Sequence, residues 1–392
     1  MRKFYARSTT MMSLAIAVYL LTPALPARSD DVGASNHVPL LDDGPTIRVP
    51  VRMFDETLYF IVDTGSAVSL LDATYRNKLG SSVRDFSVGT GISSANPIAV
   101  YRCPDFYVGG SHGHLEEIGC ENLKTFQYVT GVQCDGVLGM DFLHAYAVTI
   151  DFDNRTLSLS DRVSDSDKNH AEAVPLLDVS KNIVGVQSTL NSIHRAKVII
   201  DTGDSRSISL NRHDWDDALP EASGAKLHNV LVVALHSKPT QILSARLDQL
   251  EVGSQKYKNL LCFLLPNSKQ PSGLGLRFLR QHFAILDFPR HVVYLRQREH
   301  YDAPDDPDMS GLHLMRRDGA TSVYAVDDQS PAVIAGIKAG DVIRSVNGTD
   351  VDRMTMEEVR HSFQSADGAS VHGVAERDGQ VQTFELILKK PL

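Results

Sequence analysis

Short apolar runs broken by acids, glycines and polar turns dominate the chain from residue 38 onward, and one such run occurs twice. Leu58-Tyr-Phe-Ile-Val leads into Asp63-Thr64-Gly65-Ser66, and Ala196-Lys-Val-Ile-Ile leads into Asp201-Thr202-Gly203-Asp204. Each is the β-branched, apolar pattern of a buried strand that ends in an acid, a threonine and a glycine. The copies stay in step further on. Val137-Leu138-Gly139-Met-Asp-Phe-Leu143 is answered by Gly273-Leu274-Gly275-Leu-Arg-Phe-Leu279, Ile150-Asp-Phe152 by Leu286-Asp-Phe288, and Leu157-Ser-Leu159 by Val293-Tyr-Leu295. The shared order predicts an acid-bearing strand, several short strands, a Leu-Gly turn, a short helix beginning near Phe142 or Phe278, and a closing hairpin. The period is too long for a solenoid unit and has the size of a duplicated domain.

Two polar stretches punctuate the chain. Residues 161–170, rich in Ser, Asp and Asn, mark the junction between the copies, and residues 297–310, acidic and proline-bearing, read as a linker. The C-terminal segment, residues 311–390, is expected to fold separately. It contains strand patterns at Ser322–Val326 and Phe384–Leu388, and a capping box, Thr355 with Glu358, that starts a helix running to about Phe363. Ser330-Pro-Ala332, Ala339-Gly340, Gly340-Asp341-Val342-Ile343 and Val346-Asn347-Gly348 come in the order found in bacterial PDZ domains, which this segment resembles. The resemblance implies that a protein C-terminus binds by strand addition, its carboxylate held by a loop. Gly311-Leu312-His313-Leu314 is the nearest match to that loop, with His313 where a second glycine is common. The other reading is a domain that only packs against the rest of the chain.

The first residues have a different texture. Arg2, Lys3 and Arg7 precede an apolar run from Met11 to Leu21 and the small-residue stretch Thr22-Pro-Ala-Leu-Pro-Ala27. This is the layout of a secretory signal, cleaved after Ala27, and it places the mature chain in the periplasm or outside the cell. The apolar run is about half of the ~20 residues that cross a bilayer, so no stable membrane span is expected after cleavage; an uncleaved anchor is the alternative. The 392 residues are 42% hydrophobic and 22% charged, enough for two or three domains with real cores. A net charge of -9 leaves no basic stripe, which excludes nucleic acid as a partner.

Candidate metal and thiol chemistry is thin. Cys103, Cys120 and Cys134 in the first half and Cys262 in the second lack the paired close spacing of a zinc site. Export permits a disulfide among the first three, and free buried thiols fit equally well. His112-Gly-His114 followed by Glu116-Glu117 reads as a solvated hairpin turn, so no metal or other cofactor is expected. Gly-x-Ser-x-Gly, His-Glu-x-x-His and Walker-type patterns are absent.

The repeated acid carries the chemistry. A lone Asp-Thr-Gly is an ordinary turn, whereas two copies at equivalent places of a duplicated domain can form a pair of carboxyls that share a proton. Such a pair can take a proton from water and give one to a carbonyl oxygen, because two close like charges cannot both ionise. These loops, each trailed by an apolar-Gly element (Val137-Leu138-Gly139; Gly273-Leu274-Gly275), resemble the aspartic peptidases of the pepsin and retropepsin type over about residues 38–296. The resemblance implies a mostly β chain with a six-stranded closed barrel in each lobe (38–160 and 171–296). It further implies Asp63 and Asp201 as the catalytic pair of an endopeptidase, with Thr64 and Thr202 tying the loops together and Gly65 and Gly203 beside the acids. Gly89, Thr90 and Gly91 lie where the first lobe's flap belongs, and a plain surface turn is the other reading; Leu231–His236 in the second lobe has no glycine tip. Asp204 departs from the family, which carries a small residue there as the first copy does with Ser66. The opposing hypothesis is a peptide-binding or scaffold protein that keeps this fold without turnover.

Overall fold

A computed structural model of the chain describes residues 37–87, 97–232, 240–265, 269–299 and 308–390. The candidate signal (1–27), the candidate flap tip (Gly89, Thr90, Gly91) and most of the expected linker lie outside these residues. The described chain is mostly β.

In the first half, β1 (Glu56–Val62) becomes continuously buried from Phe60 to Val62, running from the surface into the core. The chain then turns through Asp63 and returns as β2 (Leu70–Asp72), which pairs in parallel with β3 (Glu117–Glu121). After helix α1 (Lys124–Thr130), β4 (Gly136–Leu138) threads between β1 and β2, parallel to the first and antiparallel to the second. Helix α2 (Met140–Leu143) comes next, and β5 (Ala147–Asp151) and β6 (Thr156–Ser160) close the half as a hairpin.

The second half repeats this plan. β7 (His194–Ile200) carries Asp201 at its end, β8 (Ile208–Leu210) returns from the turn, and β9 (Gln255–Leu264) pairs with β8 in parallel. β10 (Gly273–Leu274) threads between β7 and β8 as β4 does between β1 and β2. Helix α3 (Leu276–Leu279), then β11 (His282–Asp287) and β12 (Val292–Gln297), complete the copy. Gly139 and Gly275 precede the short helices in closely similar extended conformations (φ -95° in both). Both helices begin two residues before the expected Phe142 and Phe278.

The expectation of a self-contained barrel in each half does not describe the sheets. The two closing hairpins join through β5 and β11, with Val148 opposite Leu286 and Ile150 opposite Ala284. The result, among the described residues, is a six-stranded sheet drawn from both halves, beside a nine-stranded and an eight-stranded sheet. The physical reason lies in burial on both faces. Val148, Leu286 and Val293 face one continuous core, while Ala147 and Ile285 pack with Val163 on the other side. Such strands need neighbours along both edges and cover on both faces, and each hairpin supplies the other's edge. The main core runs through both halves, so they fold together.

Residues 308–390 have their own core. β13 (Leu312–Arg317) pairs with β14 (Ala320–Val326) and stands at the end of the sheet, with no strand on its other side among the described residues. Helix α4 (Met356–His361) opens with the expected capping box: the Thr355 hydroxyl accepts from Glu358 N–H at 3.1 Å, and Glu358 accepts from Thr355 N–H at 2.6 Å. It ends two residues before Phe363. None of the four cysteines is in a disulfide, so the one considered among Cys103, Cys120 and Cys134 is not formed. No helix among the described residues is long and apolar enough to cross a membrane.

Candidate active site

The two acid-bearing turns meet at the centre of the two halves. Thr64 N–H donates to Thr202 Oγ1 and Thr202 N–H to Thr64 Oγ1, both at 3.0 Å. Each hydroxyl in turn donates to the main chain of the opposite loop, Thr64 to Ile200 O at 2.6 Å and Thr202 to Val62 O at 2.7 Å. Both side chains are buried. Four hydrogen bonds shielded from water thus lock two loops that are 138 residues apart. A hydroxyl that donates and accepts at once is required at each position, which explains threonine in both copies.

Above this lock sit the acids. Asp63 Oδ1 accepts from Gly65 N–H at 2.9 Å and Ser66 N–H at 3.0 Å; Asp201 Oδ1 accepts from Gly203 N–H at 2.9 Å and Asp204 N–H at 3.1 Å. The carboxyls are crossed over the glycines. A β-carbon on Gly65 would lie 2.5 Å from Asp201 Oδ2, and one on Gly203 would lie 2.5 Å from Asp63 Oδ1. A methyl at either place would have to push the opposite carboxyl aside.

Electrostatics raise both acids. Burial pushes Asp63 up to about 6, aided by the charge on Asp204 and opposed by the two amide donors and by a hydrogen bond with Asp201. Burial likewise holds Asp201 well above the ordinary carboxylate range, with the charges on Asp63 and Asp204 adding to it. Two acids crowded and buried in this way resist ionising together, so above the ordinary carboxylate range the pair shares a proton.

Asp204 differs from both. Burial alone would raise it, yet Arg206, whose Nε donates to Asp204 Oδ1 at 2.7 Å, and Ser209, whose hydroxyl donates to Oδ2 at 2.6 Å, hold it below the ordinary range. It is an ionised third acid with its own counter-charge. The first copy has no such group: the Ser66 hydroxyl donates to Val68 O at 2.8 Å. There the acid is Asp141, one residue into α2, which accepts from Ser69 N–H at 2.8 Å and its hydroxyl at 2.6 Å. Sequence reasoning missed Arg206, Ser209, Ser69 and Asp141. The Asp204-x-Arg206 spacing was the one available signal.

Elsewhere, His112 and His114 pack edge to face with ring centroids 4.5 Å apart on the hairpin. Among the described residues no three His, Cys, Asp or Glu side chains are gathered as a metal would need.

The candidate carboxylate loop of the C-terminal domain is in place but engaged. Gly311 has a left-handed backbone (φ +73°). Ser310 N–H and Gly311 N–H donate to Asp308 Oδ1 at 2.8 and 3.1 Å, and Leu312 N–H donates to the Ser310 hydroxyl at 3.0 Å. Leu312 and Leu314 point into the core, and His313 Nε2 pairs with Asp327 Oδ1 at 2.7 Å. Burial pushes Asp308 up to about 6.

No curated protein matches the chain. A family model of the PDZ domain matches residues 322–377, from within β14 to the end of the strand Ser370–Arg377, which comes after α4. The chain therefore carries a PDZ domain, a module that suggests peptide or protein binding.

Proposed function

We propose that this chain is an exported aspartic endopeptidase in which Asp63 and Asp201 act on one water, with the PDZ domain engaging peptide or protein C-termini. The observation that carries this reading is the crossed pair of buried carboxyls on two threonine-locked loops. The chemistry rests on one proton held between the two carboxyls. Asp63 takes a proton from water as the water oxygen bonds to the carbonyl carbon, and Asp201 gives its proton to the carbonyl oxygen, leaving a neutral diol. One carboxylate then takes back a diol proton while the other carboxyl protonates the amide nitrogen, and the C–N bond breaks. The dyad returns with one proton. Export rests on the basic, apolar and small-residue pattern of residues 1–27.

A second reading, a peptide-binding protein without turnover, is favoured by the PDZ match and by the buried Asp204–Arg206 pair, which adds a charge beside the dyad. One measurement separates them: digestion of a diverse peptide mixture by the chain lacking residues 1–27, with and without a statine-type inhibitor, from pH 4 to 9. The peptidase reading requires inhibitable cleavage that declines below pH ~6, as Asp63 takes up the second proton. Asp63→Asn and Asp201→Asn should each lower it by at least ~10³-fold. Absence of cleavage by the unaltered chain, or equal cleavage by the variants, leaves the binding reading standing.

A further inference from the structure

A peptide joins a PDZ domain as an added strand along a free sheet edge. Here that edge belongs to β13, whose one strand partner among the described residues is β14. It is covered by the first half of the chain.

The covering segment is the end of α1. The Tyr128 ring lies under the Arg317 guanidinium of β13, 5.5 Å from its centroid. Arg360 of α4 donates through Nη2 to Val129 O, and the same nitrogen lies 3.4 Å from Leu314 O of β13. One guanidinium thus joins the α1 main chain to the β13 main chain. Gly131 ends α1 in a left-handed conformation (φ +74°), and a β-carbon there would lie 2.6 Å from Met356 Cβ, in the first turn of α4. Residues 128–131 therefore touch both the strand edge and the helix beside it. The loop amides are engaged as well, since Ser310 N–H and Gly311 N–H are held by the Asp308 carboxylate. Strand edge and carboxylate cradle are both occupied by groups of this same chain.

We propose that residues 128–131 are an intramolecular occupant of the PDZ groove, and that a polypeptide with a free C-terminal carboxylate binds by displacing them. Arg317 and Arg360, now paired with an aromatic ring and a carbonyl, become the cationic lining that such a chain end meets. Closure lowers apparent affinity by the fraction of molecules in which the groove is open, so a groove open in one molecule in ten to a hundred binds about 10- to 100-fold more weakly than a free one. The segment also connects to the acid loops. Leu123 N–H, just before α1, donates at 2.8 Å to Asp72 Oδ2, the last residue of β2. The inference needs only peptide binding by the PDZ domain and is independent of the dyad.

The test uses the full chain and two substitutions outside the PDZ domain, Gly131→Glu and Tyr128→Ala, so the groove itself is unaltered. Two quantities are read: hydrogen exchange of the β13 amides, and retention of a decapeptide pool randomised at its last four positions, supplied with free or amidated C-termini. Exchange along β13 is expected to be about 10-fold faster or more in both variants. They should also retain at least ~10-fold more of the free-acid pool than the unaltered chain, and no more of the amidated pool. Unchanged exchange would overturn the proposal. So would faster exchange without a gain in free-acid retention, because the uncovered edge would then not be a chain-end site.

Discussion

Replacing Asp63 by Asn tests the buried pair without any knowledge of a substrate. The folded-state affinity of Asp63 for its proton is raised from 3.8 to about 6. Between those values the folded chain binds more protons than the unfolded chain, so stability falls as pH rises through that window and is lowest above it. A shift of about two units corresponds to ~3 kcal/mol at neutral pH. Asparagine carries no such cost and keeps an oxygen for the Gly65 and Ser66 amides, so Asp63→Asn should be the more stable protein at pH 7.5 by about that amount. Loss of the Asp63 charge also relieves Asp201, which adds to the gain. Urea denaturation of both proteins from pH 4 to 8 gives the answer. The gap should be small at pH 4, widen by ~2 kcal/mol between pH 4.5 and 6, and then level off as Asp63 becomes fully ionised. A constant gap, or a variant that is weaker at pH 7.5, would show that the carboxyls are neither buried nor crowded together.

The loop lock makes a prediction of its own: Thr202→Val keeps the shape but strands Val62 O and Thr64 N–H in the core, and thermal denaturation should show a loss of ~2–4 kcal/mol, against ~1 for Thr202→Ser. Gly65→Ala puts a methyl where the Asp201 carboxyl lies; the expected cost is ~1–3 kcal/mol, together with loss of the pH-dependent stability of the dyad, because the carboxyls must part.

Sequence pattern revealed the acid loops because Leu58–Val62 and Ala196–Ile200 are apolar runs that end in a charge, and a buried strand leaves few other readings. It also revealed that the loops belong together, since the repeat places each acid at the same point of the same unit. It did not reveal that β5 pairs with β11. A period-two pattern says which face of a strand is buried and nothing about which strand lies alongside, so the barrel per lobe that the resemblance implied went uncorrected by the pattern. The helix starts differ by two residues because Met140 and Leu276 are as acceptable in a turn as in a helix. Docking of α1 on β13 was invisible for a related reason: Tyr128, Val129 and Gly131 are ordinary within their own segment, and Arg360 reaches Val129 across 231 positions.

Asp204 is where the two copies stop being equivalent, and its consequence can be carried to a measurable end. The backbones of the two loops match hydrogen bond for hydrogen bond, so geometry gives Asp63 and Asp201 no reason to differ. The third acid has no counterpart in the first copy: Asp204, kept ionised by Arg206 and Ser209, opposes ionisation of both dyad acids. Asp204→Asn keeps the size and a hydrogen bond from Arg206 but removes the charge, and it leaves the guanidinium free to favour carboxylates. Both dyad acids should then ionise at lower pH. The pH window of falling stability, and the acid limit of any hydrolysis, should move toward acid, whereas Ser209→Ala, which removes a hydrogen bond and no charge, should move them much less. An Asp204→Asn profile superimposable on that of the unaltered chain would mean that Arg206 already cancels the charge of the third acid.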